Sequence, residues 1–382
     1  MVGVLAYAGA VFTIPGAFWD FVRHLSEVSM SRSERIGRRG FLSGVGALAA
    51  GAMAPRFLAA GRAPVVRTQD KSGSATLRLG AEPHVYEARH DWLTPPAGLK
   101  WGDTHGVCQD SQGRIYIGHT VHPDSERADA IAVFDPEGKF MTSWGAAFRG
   151  GAHGLDVRRE GADEFLYHCD IHRRLVVKTS LDGEVLWEKG FPKESGKYEK
   201  AEQYCPTNVA FAPNGDFYVG DGYGSAYIHQ YTLKGEYLRT IGEPGAGPGQ
   251  LNCPHGLWVD ERGGEARLVV ADRGNRRLQT FSLDGKHLGF VTEGMRMPCH
   301  FKIRGELMLI PDLESVVTLV DRENKVVAHL GDGHPSQLRG AAREQFLPGK
   351  FIHPHSATFL ATGDILVVEW VPIGRVTLLK KA

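Results

Sequence analysis

Histidines recur in this sequence at one repeated place. His105, His153, His255 and His355 each stand second in a short segment, and such segments recur roughly every 50 residues. Neutral imidazole nitrogen is a good ligand for Zn²⁺, and three protein ligands leave one coordination position open for water or substrate. The recurrence therefore predicts a divalent-metal site, if the fold brings the repeated places together. The alternative for any single histidine is a hydrogen bond to a neighbouring carbonyl group.

The segments that carry these histidines belong to a unit that is repeated six times. The units begin at 104–107, 152–155, 206–209, 254–257, 298–301 and 354–357. A second β-rich run follows each start, and hairpin turns such as Asp-Gly join further strands. Both the length and the content of the unit are typical of a four-stranded propeller blade. Residues 76–382 are therefore predicted to form an all-β, six-bladed β-propeller, in which the first strand of each blade lines a central channel.

The chain's two ends are expected to close this ring. The last unit has only three predicted strands, and its missing outer strand can come from 84–88. Pairing the N- and C-terminal strands removes an exposed sheet edge. A longer insertion with a predicted helical turn at 337–345 precedes the last unit.

Two units depart from the histidine pattern. The third has Thr207 at the repeated place, and the fifth has Cys299 followed by His300. Strand alternation places Cys299 on the channel face and turns His300 sideways. Cys205, Cys253 and Cys299 lie at the same end of the blades, where they are either additional soft ligands or buried apolar side chains.

Acidic residues end the second strand of most units. They are Asp170, Asp221, Asp272, Asp312 and Glu369. A carboxylate repeated at every strand end is typical of backbone capping rather than catalysis.

The motifs from 205 to 281 carry a family resemblance. In order they are Pro-Thr at 206, Asp-Gly-Tyr at 221, Pro-His at 254 and Ala-Asp-Arg-x-Asn-x-Arg at 271. With these motifs the chain resembles the peptidyl-α-hydroxyglycine α-amidating lyase family, a branch of the NHL-type six-bladed propellers. The resemblance implies that zinc is bound by three histidines on alternate blades: His153, His255 and His355.

The resemblance also implies roles for two further residues. Tyr223 matches the family's catalytic tyrosine, and Arg273 matches an active-site arginine. The implied reaction is a zinc-assisted cleavage of a carbinolamide to an amide and a 2-oxo acid. Tyr223, with its pKa lowered by metal and guanidinium, would take the hydroxyl proton, and Arg273 would hold the substrate carboxylate. The alternative for Tyr223 is a stacking role. The alternative for Arg273 is an ion pair with one of the strand-end acids.

Three departures from the family pattern weaken the assignment of the family's residue roles to this chain. The family's first-blade arginine falls near Thr120 here, and the acid that helps to bind a structural calcium is replaced by Ser356. Gly224 and Thr280 stand where disulfide partners are expected. The case for calcium is therefore weaker than the case for zinc. Two other hypotheses stay open: a non-catalytic propeller that binds a peptide, glycan or protein, and a copper or electron-transfer site at the Cys/His mouth of the channel, to which His168, Cys169 and His172 would add ligands.

The N-terminus has the features of an export signal. Arg38 and Arg39 are followed by Phe-Leu and by an Ala/Gly-rich apolar stretch at 44–54 that ends in small residues. This order is typical of a twin-arginine signal. We expect residues 1–70 to be this signal and a linker, and the protein to be periplasmic or extracellular. A short anchored helix is the alternative, and residues 1–29 are either an extension before the true start or a membrane segment.

The charge balance limits the possible partners. The 382 residues include 44 basic and 44 acidic side chains. This balance argues against a nucleic-acid-binding surface. We expect a small-molecule or peptide substrate at the channel mouth, no nucleic acid, and membrane contact only through the N-terminal signal.

Overall fold

A computed structural model describes residues 66–69 and 75–382 of the chain. The twin-arginine motif and the apolar stretch after it lie outside the described residues, so the predicted export signal stays a prediction. Within the described part, no helical segment has the length and apolarity needed to cross a bilayer.

The described residues form antiparallel sheets arranged as six blades. Three strands precede the first complete blade: β1 (Val66–Gln69), β2 (Ala75–Ala81) and β3 (His84–Arg89). The first blade contains β4 (Thr104–Gln109), β5 (Ile115–His119), β6 (Ile131–Phe134) and β7 (Phe140–Trp144). The second contains β8 (Ala152–Glu160), β9 (Asp163–Asp170), β10 (Leu175–Thr179) and β11 (Val185–Lys189). The third contains β12 (Asn208–Phe211), β13 (Phe217–Gly220), β14 (Ile228–Tyr231) and β15 (Tyr237–Ile241).

The remaining blades follow in the same order. A short parallel pair, β16 (Glu243–Pro244) and β17 (Gln250–Leu251), precedes the fourth blade. The fourth blade contains β18 (Pro254–Asp260), β19 (Arg267–Asp272), β20 (Arg277–Ser282) and β21 (His287–Val291). The fifth contains β22 (Lys302–Arg304), β23 (Leu307–Asp312), β24 (Val316–Val320) and β25 (Val326–Gly331). The sixth contains β26 (Pro354–Phe359), β27 (Ile365–Glu369) and β28 (Arg375–Lys381). The described 3-10 helices are Ala146–Phe148, Lys193–Ser195, Ala201–Gln203, Arg273–Asn275 and Arg343–Gln345.

Hydrophobic clusters lie between neighbouring blades all around the ring. Val107 and Ile117 of the first blade pack with Leu366 and Val368 of the sixth, and five similar clusters join the other pairs of neighbours. Inner strands such as β5 are buried along their whole length, whereas outer strands such as β7 are partly exposed. The predicted all-β, six-bladed propeller is therefore confirmed.

The ring is closed by strands from the two ends of the chain. Strand β3 pairs antiparallel with β28, with Ala88 opposite Leu379. This confirms the predicted closure through 84–88. Strands β2 and β1 extend the same sheet outward to six strands, which the sequence analysis did not predict.

The strand-end acids cap the backbone, as predicted. Asp221 accepts the backbone N–H of Cys205 and of Ser225, each at 2.6 Å, and Asp312 accepts that of Arg296 at 2.9 Å and that of Met297 at 2.8 Å. Each of these acids therefore ties the incoming loop to the end of the second strand. In the first blade, His119 takes the place of the acid. Its Nδ1 accepts the backbone N–H of Gly102 at 3.3 Å and that of Val121 at 3.1 Å.

Candidate functional site

The repeated histidines meet at the centre of the propeller. His153, His255 and His355 lie near the starts of β8, β18 and β26, and all three are buried. Their ring centroids are 4.9 Å apart for His153 and His255, 4.7 Å for His153 and His355, and 4.8 Å for His255 and His355. The three rings from alternate blades thus form a nearly equilateral triangle.

Backbone carbonyl groups fix the protonation of these rings. Nδ1 of His153 donates to Thr207 O at 2.9 Å, Nδ1 of His255 to Cys299 O at 2.8 Å, and Nδ1 of His355 to His105 O at 2.9 Å. Because a carbonyl oxygen only accepts, each Nδ1 carries the proton and each neutral ring has its lone pair on Nε2. Burial lowers the pKa of all three imidazoles well below the usual value, which favours this neutral form.

The Nε2 lone pairs lack enough hydrogen-bond donors. Nε2 of His153 lies 3.2 Å from Nε2 of His255, and the Tyr223 hydroxyl lies 3.2 Å from the first and 3.0 Å from the second. The single proton of the Tyr223 hydroxyl can bond to only one of these two Nε2 atoms. Nε2 of His355 has no hydrogen-bond partner within the described chain. A cation held by the three Nε2 atoms would remove this conflict, so the donor set fits zinc or a similar divalent metal.

His105 lies in the same ring, although the sequence analysis leaves it outside the metal set. The ligand atoms of His105, His153 and His355 all lie within 4.8 Å of one another. The centroid of His105 is 4.5 Å from that of His355 and 4.9 Å from that of His153. Nδ1 of His105 donates to Ala152 O at 3.2 Å, so its Nε2 is also unprotonated in the neutral ring. This set, whose ligand atoms lie within the stated distance, shares His153 and His355 with the predicted set and has His105 in place of His255.

The predicted orientation of His300 is wrong. His300 lines the central cavity, and its Nε2 lies 3.3 Å from Oδ2 of Asp156. The reason is local: β22 begins only at Lys302, so 298–301 does not follow strand alternation. Cys299 instead directs its sulfur towards Arg273, with Sγ 3.9 Å from Nη1.

The cavity between the histidines is small and lacks carboxylates. Its volume is about 10 Å³, and its lining includes the five channel histidines and Ser356. That volume holds about one water molecule or ion. Calcium prefers several oxygen ligands, carboxylates above all. The nearby Asp156 is occupied by Lys302 and His300, so this donor set does not fit calcium.

Tyr223 projects into the site from the loop after β13. Its position is held by a hydrogen bond from its backbone N–H to Cys205 O at 3.2 Å and by the adjacent capping acid. Among the protein groups, burial is the larger effect and raises the pKa of Tyr223, while the charge of Arg273 opposes it. Arg273 therefore acts on the pKa of Tyr223 in the predicted direction, and the further lowering of this pKa by a metal stays a prediction.

Arg273 brings an unpaired cation to the site. The residue begins a 3-10 helix directly after β19, is 4 % exposed, and places its Cζ 5.2 Å from the Tyr223 ring centroid. Asp272 pairs with Arg277 instead, at 2.7 Å from Nε, and Arg273 forms no ion pair within the described residues. Its alternative role in an ion pair with one of the strand-end acids therefore fails. A buried guanidinium without a carboxylate is suited to bind an anionic ligand.

The first-blade wall is built differently from the family pattern. Oγ1 of Thr120 accepts the backbone N–H of Asp103 at 2.9 Å. The Asp103 carboxylate in turn accepts Nη2 of Arg339 at 2.9 Å, from the segment between β25 and β26. The structure thus brings an arginine close to Thr120 from a distant part of the chain, which sequence spacing alone could not indicate.

The other proposed soft ligands do not join the histidine ring. Nε2 of His168 bonds Oγ1 of Thr179 at 3.0 Å, and its ring stacks on Phe148. Cys169 packs in a hydrophobic cluster with Tyr167. All five cysteines are free, as the missing disulfide partners indicate. A copper site built from His168 and Cys169 therefore finds no support.

Comparison with known proteins places the chain among propellers of this kind. No family model matches the chain. NHL repeat-containing protein 3 of Homo sapiens is 30% identical over 207 residues, which is 50% of this chain and 57% of that protein. The chain thus spans less than two thirds of this relative's length. Probable peptidyl-alpha-hydroxyglycine alpha-amidating lyase pgal-1 of Caenorhabditis elegans is 32% identical over 255 residues, which is 63% of this chain and 67% of that protein.

A solved structure supports the fold alone. The structure described as a streptogramin B lyase superposes with a TM-score of 0.52 at 12% identity, covering 77% of this chain and 98% of that one. The sequence relationship supports membership of a family as well as the fold, because the worm relative is matched over two thirds of its length. The chain belongs to the peptidyl-α-hydroxyglycine α-amidating lyase family of NHL-type six-bladed propellers.

Proposed function

We propose that this protein is a zinc-dependent carbon–nitrogen lyase that cleaves an N-acyl-α-hydroxyglycine to an amide and glyoxylate. The observation that carries the proposal is the position of the Tyr223 hydroxyl, 3.0 Å from Nε2 of His255 and 3.2 Å from Nε2 of His153. A phenol in contact with two nitrogen atoms that would bind the metal is placed to exchange a proton with a substrate oxygen at the same point.

The metal would be held by His153, His255 and His355. Each has its Nδ1–H bonded to a carbonyl of the neighbouring blade, which orients Nε2 towards the channel axis. When bound, zinc would act as a Lewis acid that polarises the substrate oxygen.

Tyr223 would act as the general base. It accepts the proton of the α-hydroxyl group, the C–O bond becomes C=O, and the C–N bond breaks. The departing amide nitrogen gains a proton, so the products are the amide and a 2-oxo acid with no change in oxidation state. Arg273 lowers the pKa of Tyr223 and thereby favours the base form.

Arg273 would anchor the substrate carboxylate. Its guanidinium lies beside the Tyr223 ring and has no carboxylate partner among the described residues. A charge-assisted, two-pronged pair would fix the hydroxyl-bearing carbon beside Tyr223.

The location of the protein outside the cytoplasm is part of the same proposal. Arg38 and Arg39, with the small-residue apolar stretch after them, support export by the twin-arginine route to the periplasm or the extracellular space. The substrate would then be a small molecule or peptide that reaches the open mouth of the channel.

Turnover of N-benzoyl-α-hydroxyglycine by the purified, zinc-loaded protein tests the function. We expect benzamide and glyoxylate in equal amounts. Absence of both products from a folded protein with one zinc per chain would contradict the lyase proposal. It would favour the second candidate, a non-catalytic propeller that binds a peptide, glycan or protein, for which Thr120 in place of the family's arginine is the supporting observation.

A further inference from the structure

In the first, fourth and sixth blades the end of the second strand pairs with the start of the first, so the residues directly after the strand-end caps lie at the end of the blades that carries the histidines. Arg273 follows Asp272 in the fourth blade, Trp370 follows Glu369 in the sixth, and Thr120 follows His119 in the first. In a six-bladed ring the fourth blade lies opposite the first, with the sixth beside the first. Arg273 therefore lies on the side of the ring opposite to the wall that contains Thr120 and Trp370.

Arg339 brings a second guanidinium to that opposite wall. Its Cζ lies 3.9 Å from the Trp370 ring centroid, and its Nη2 donates to Oδ1 of Asp103 at 2.9 Å. The side chain is 32% exposed, and Nε has no hydrogen-bond partner within the described chain.

Asp103 offers the complementary acceptor. Its backbone N–H is held by Thr120, its Oδ1 accepts Arg339, and Oδ2 has no hydrogen bond within the part of the chain described. The side chain is 19% exposed and stands two residues before His105. The pair thus presents guanidinium donors and a carboxylate acceptor side by side, which matches the C=O and N–H of a secondary amide.

We propose that Asp103 and Arg339 form a clamp for the amide group of the substrate, with Arg339 donating to the acyl C=O and Asp103 accepting the N–H. This inference rests on the proposed function, because it orients the amide across the histidine ring from the carboxylate at Arg273. It selects substrates with a secondary amide over simple 2-hydroxy acids. The segment between β25 and β26 is thereby a specificity element.

Equilibrium binding of three probes that the proposed reaction does not cleave tests the clamp in the zinc-loaded protein. N-Benzoylglycine has the amide and the carboxylate, O-benzoylglycolate replaces the N–H with oxygen, and glyoxylate has the carboxylate without an amide. We expect wild-type protein to bind N-benzoylglycine about tenfold or more tightly than O-benzoylglycolate, because the ester leaves Asp103 without a donor.

Variants separate the clamp from a structural role. Arg339→Met should weaken N-benzoylglycine binding about tenfold or more and change glyoxylate binding less than about twofold, whereas Arg339→Lys should lose part of this affinity. The matched control is Lys350→Met, which removes the ion pair to Asp332 in the same segment without touching Asp103. Thermal melting of each variant checks the fold.

Three results would overturn the clamp. They are unchanged N-benzoylglycine affinity in Arg339→Met, an equal loss for glyoxylate in that variant, and wild-type protein that binds glyoxylate but not N-benzoylglycine. Each of them leaves the lyase proposal standing. Wild-type protein that binds none of the probes would overturn both proposals.

Discussion

The Nε2 atoms of His153 and His255 lie 3.2 Å apart, although 102 positions separate the two residues in the sequence. Both rings donate from Nδ1 to a carbonyl group, so both Nε2 atoms are electron-rich in the neutral state. Two such atoms repel each other unless a proton or a metal ion lies between them, and burial disfavours the proton. This relationship is the strongest physical argument for a metal centre.

Tyr223→Phe should lower kcat while leaving the metal in place. The change removes the hydroxyl group but keeps the ring beside Arg273, so we expect a loss of about 10²- to 10⁴-fold, as for removal of a general base. Steady-state kinetics with N-benzoyl-α-hydroxyglycine measures it. Tyr227→Phe, in the same loop, is the control and should retain wild-type rates; equal rates in both variants would exclude Tyr223 as the base.

Arg273→Met should weaken substrate capture. Loss of a charged hydrogen-bonding partner costs about 1.5–3 kcal/mol, which corresponds to a decrease of roughly 10- to 100-fold in kcat/KM. Arg276→Gln is the control, because Arg276 is exposed and pairs with Glu314. Substrate analogues without the carboxylate should be insensitive to Arg273→Met, and an equal loss for such analogues would contradict the anchoring role.

The sequence predicts the scaffold better than it predicts the walls of the site. The repeat period indicates six blades because each unit must bury its faces against two neighbours, and the three-stranded last unit indicates closure by 84–88. The triangle of His153, His255 and His355 follows from the same repeat. These features depend on regular strands, whose side chains alternate in a known way.

Features that depend on irregular backbone cannot be predicted from the repeat and strand alternation. His300 reaches the channel because 298–301 is not regular strand, which spacing alone does not reveal. Arg339 reaches the mouth from a long segment whose path is set by contacts such as the stacking on Trp370. The capping role of His119 replaces an acid in the first blade. The only sequence signal for the capping role of His119 is the position of this residue at the end of the second strand.

Stability should fall in acid because buried neutral histidines must become protonated on unfolding. The pKa of His168 is lowered from 6.5 to about 3 by burial, so the unfolded state binds the extra proton between these values. The contribution of His168 is present above pH 6.5 and is lost as the pH falls towards 3. Between pH 7 and pH 5 this one group removes about 2 kcal/mol from the free energy of unfolding.

Denaturant unfolding at pH 7 and pH 5 measures this loss. His168→Gln should reduce the difference between the two pH values by about 2 kcal/mol. His172→Asn is the control, because this nearby histidine has an exposed side chain. An unchanged pH dependence in His168→Gln would show that this imidazole is already protonated in the folded protein.

The two overlapping histidine sets make different predictions for single substitutions. If the metal is bound by His153, His255 and His355, His255→Ala abolishes stoichiometric binding and His105→Ala retains it. The set His105, His153 and His355 predicts the reverse. His300→Ala serves as a further control, because its Nε2 is directed at Asp156. Our account predicts the first pattern.

Metal content by elemental analysis of protein purified without chelators tests the central claim most directly. We predict one zinc per chain in the wild-type protein and in His300→Ala, and less than about a tenth of that in His255→Ala. Wild-type protein that holds no stoichiometric divalent metal, or His255→Ala that retains it, would contradict the proposed metal centre.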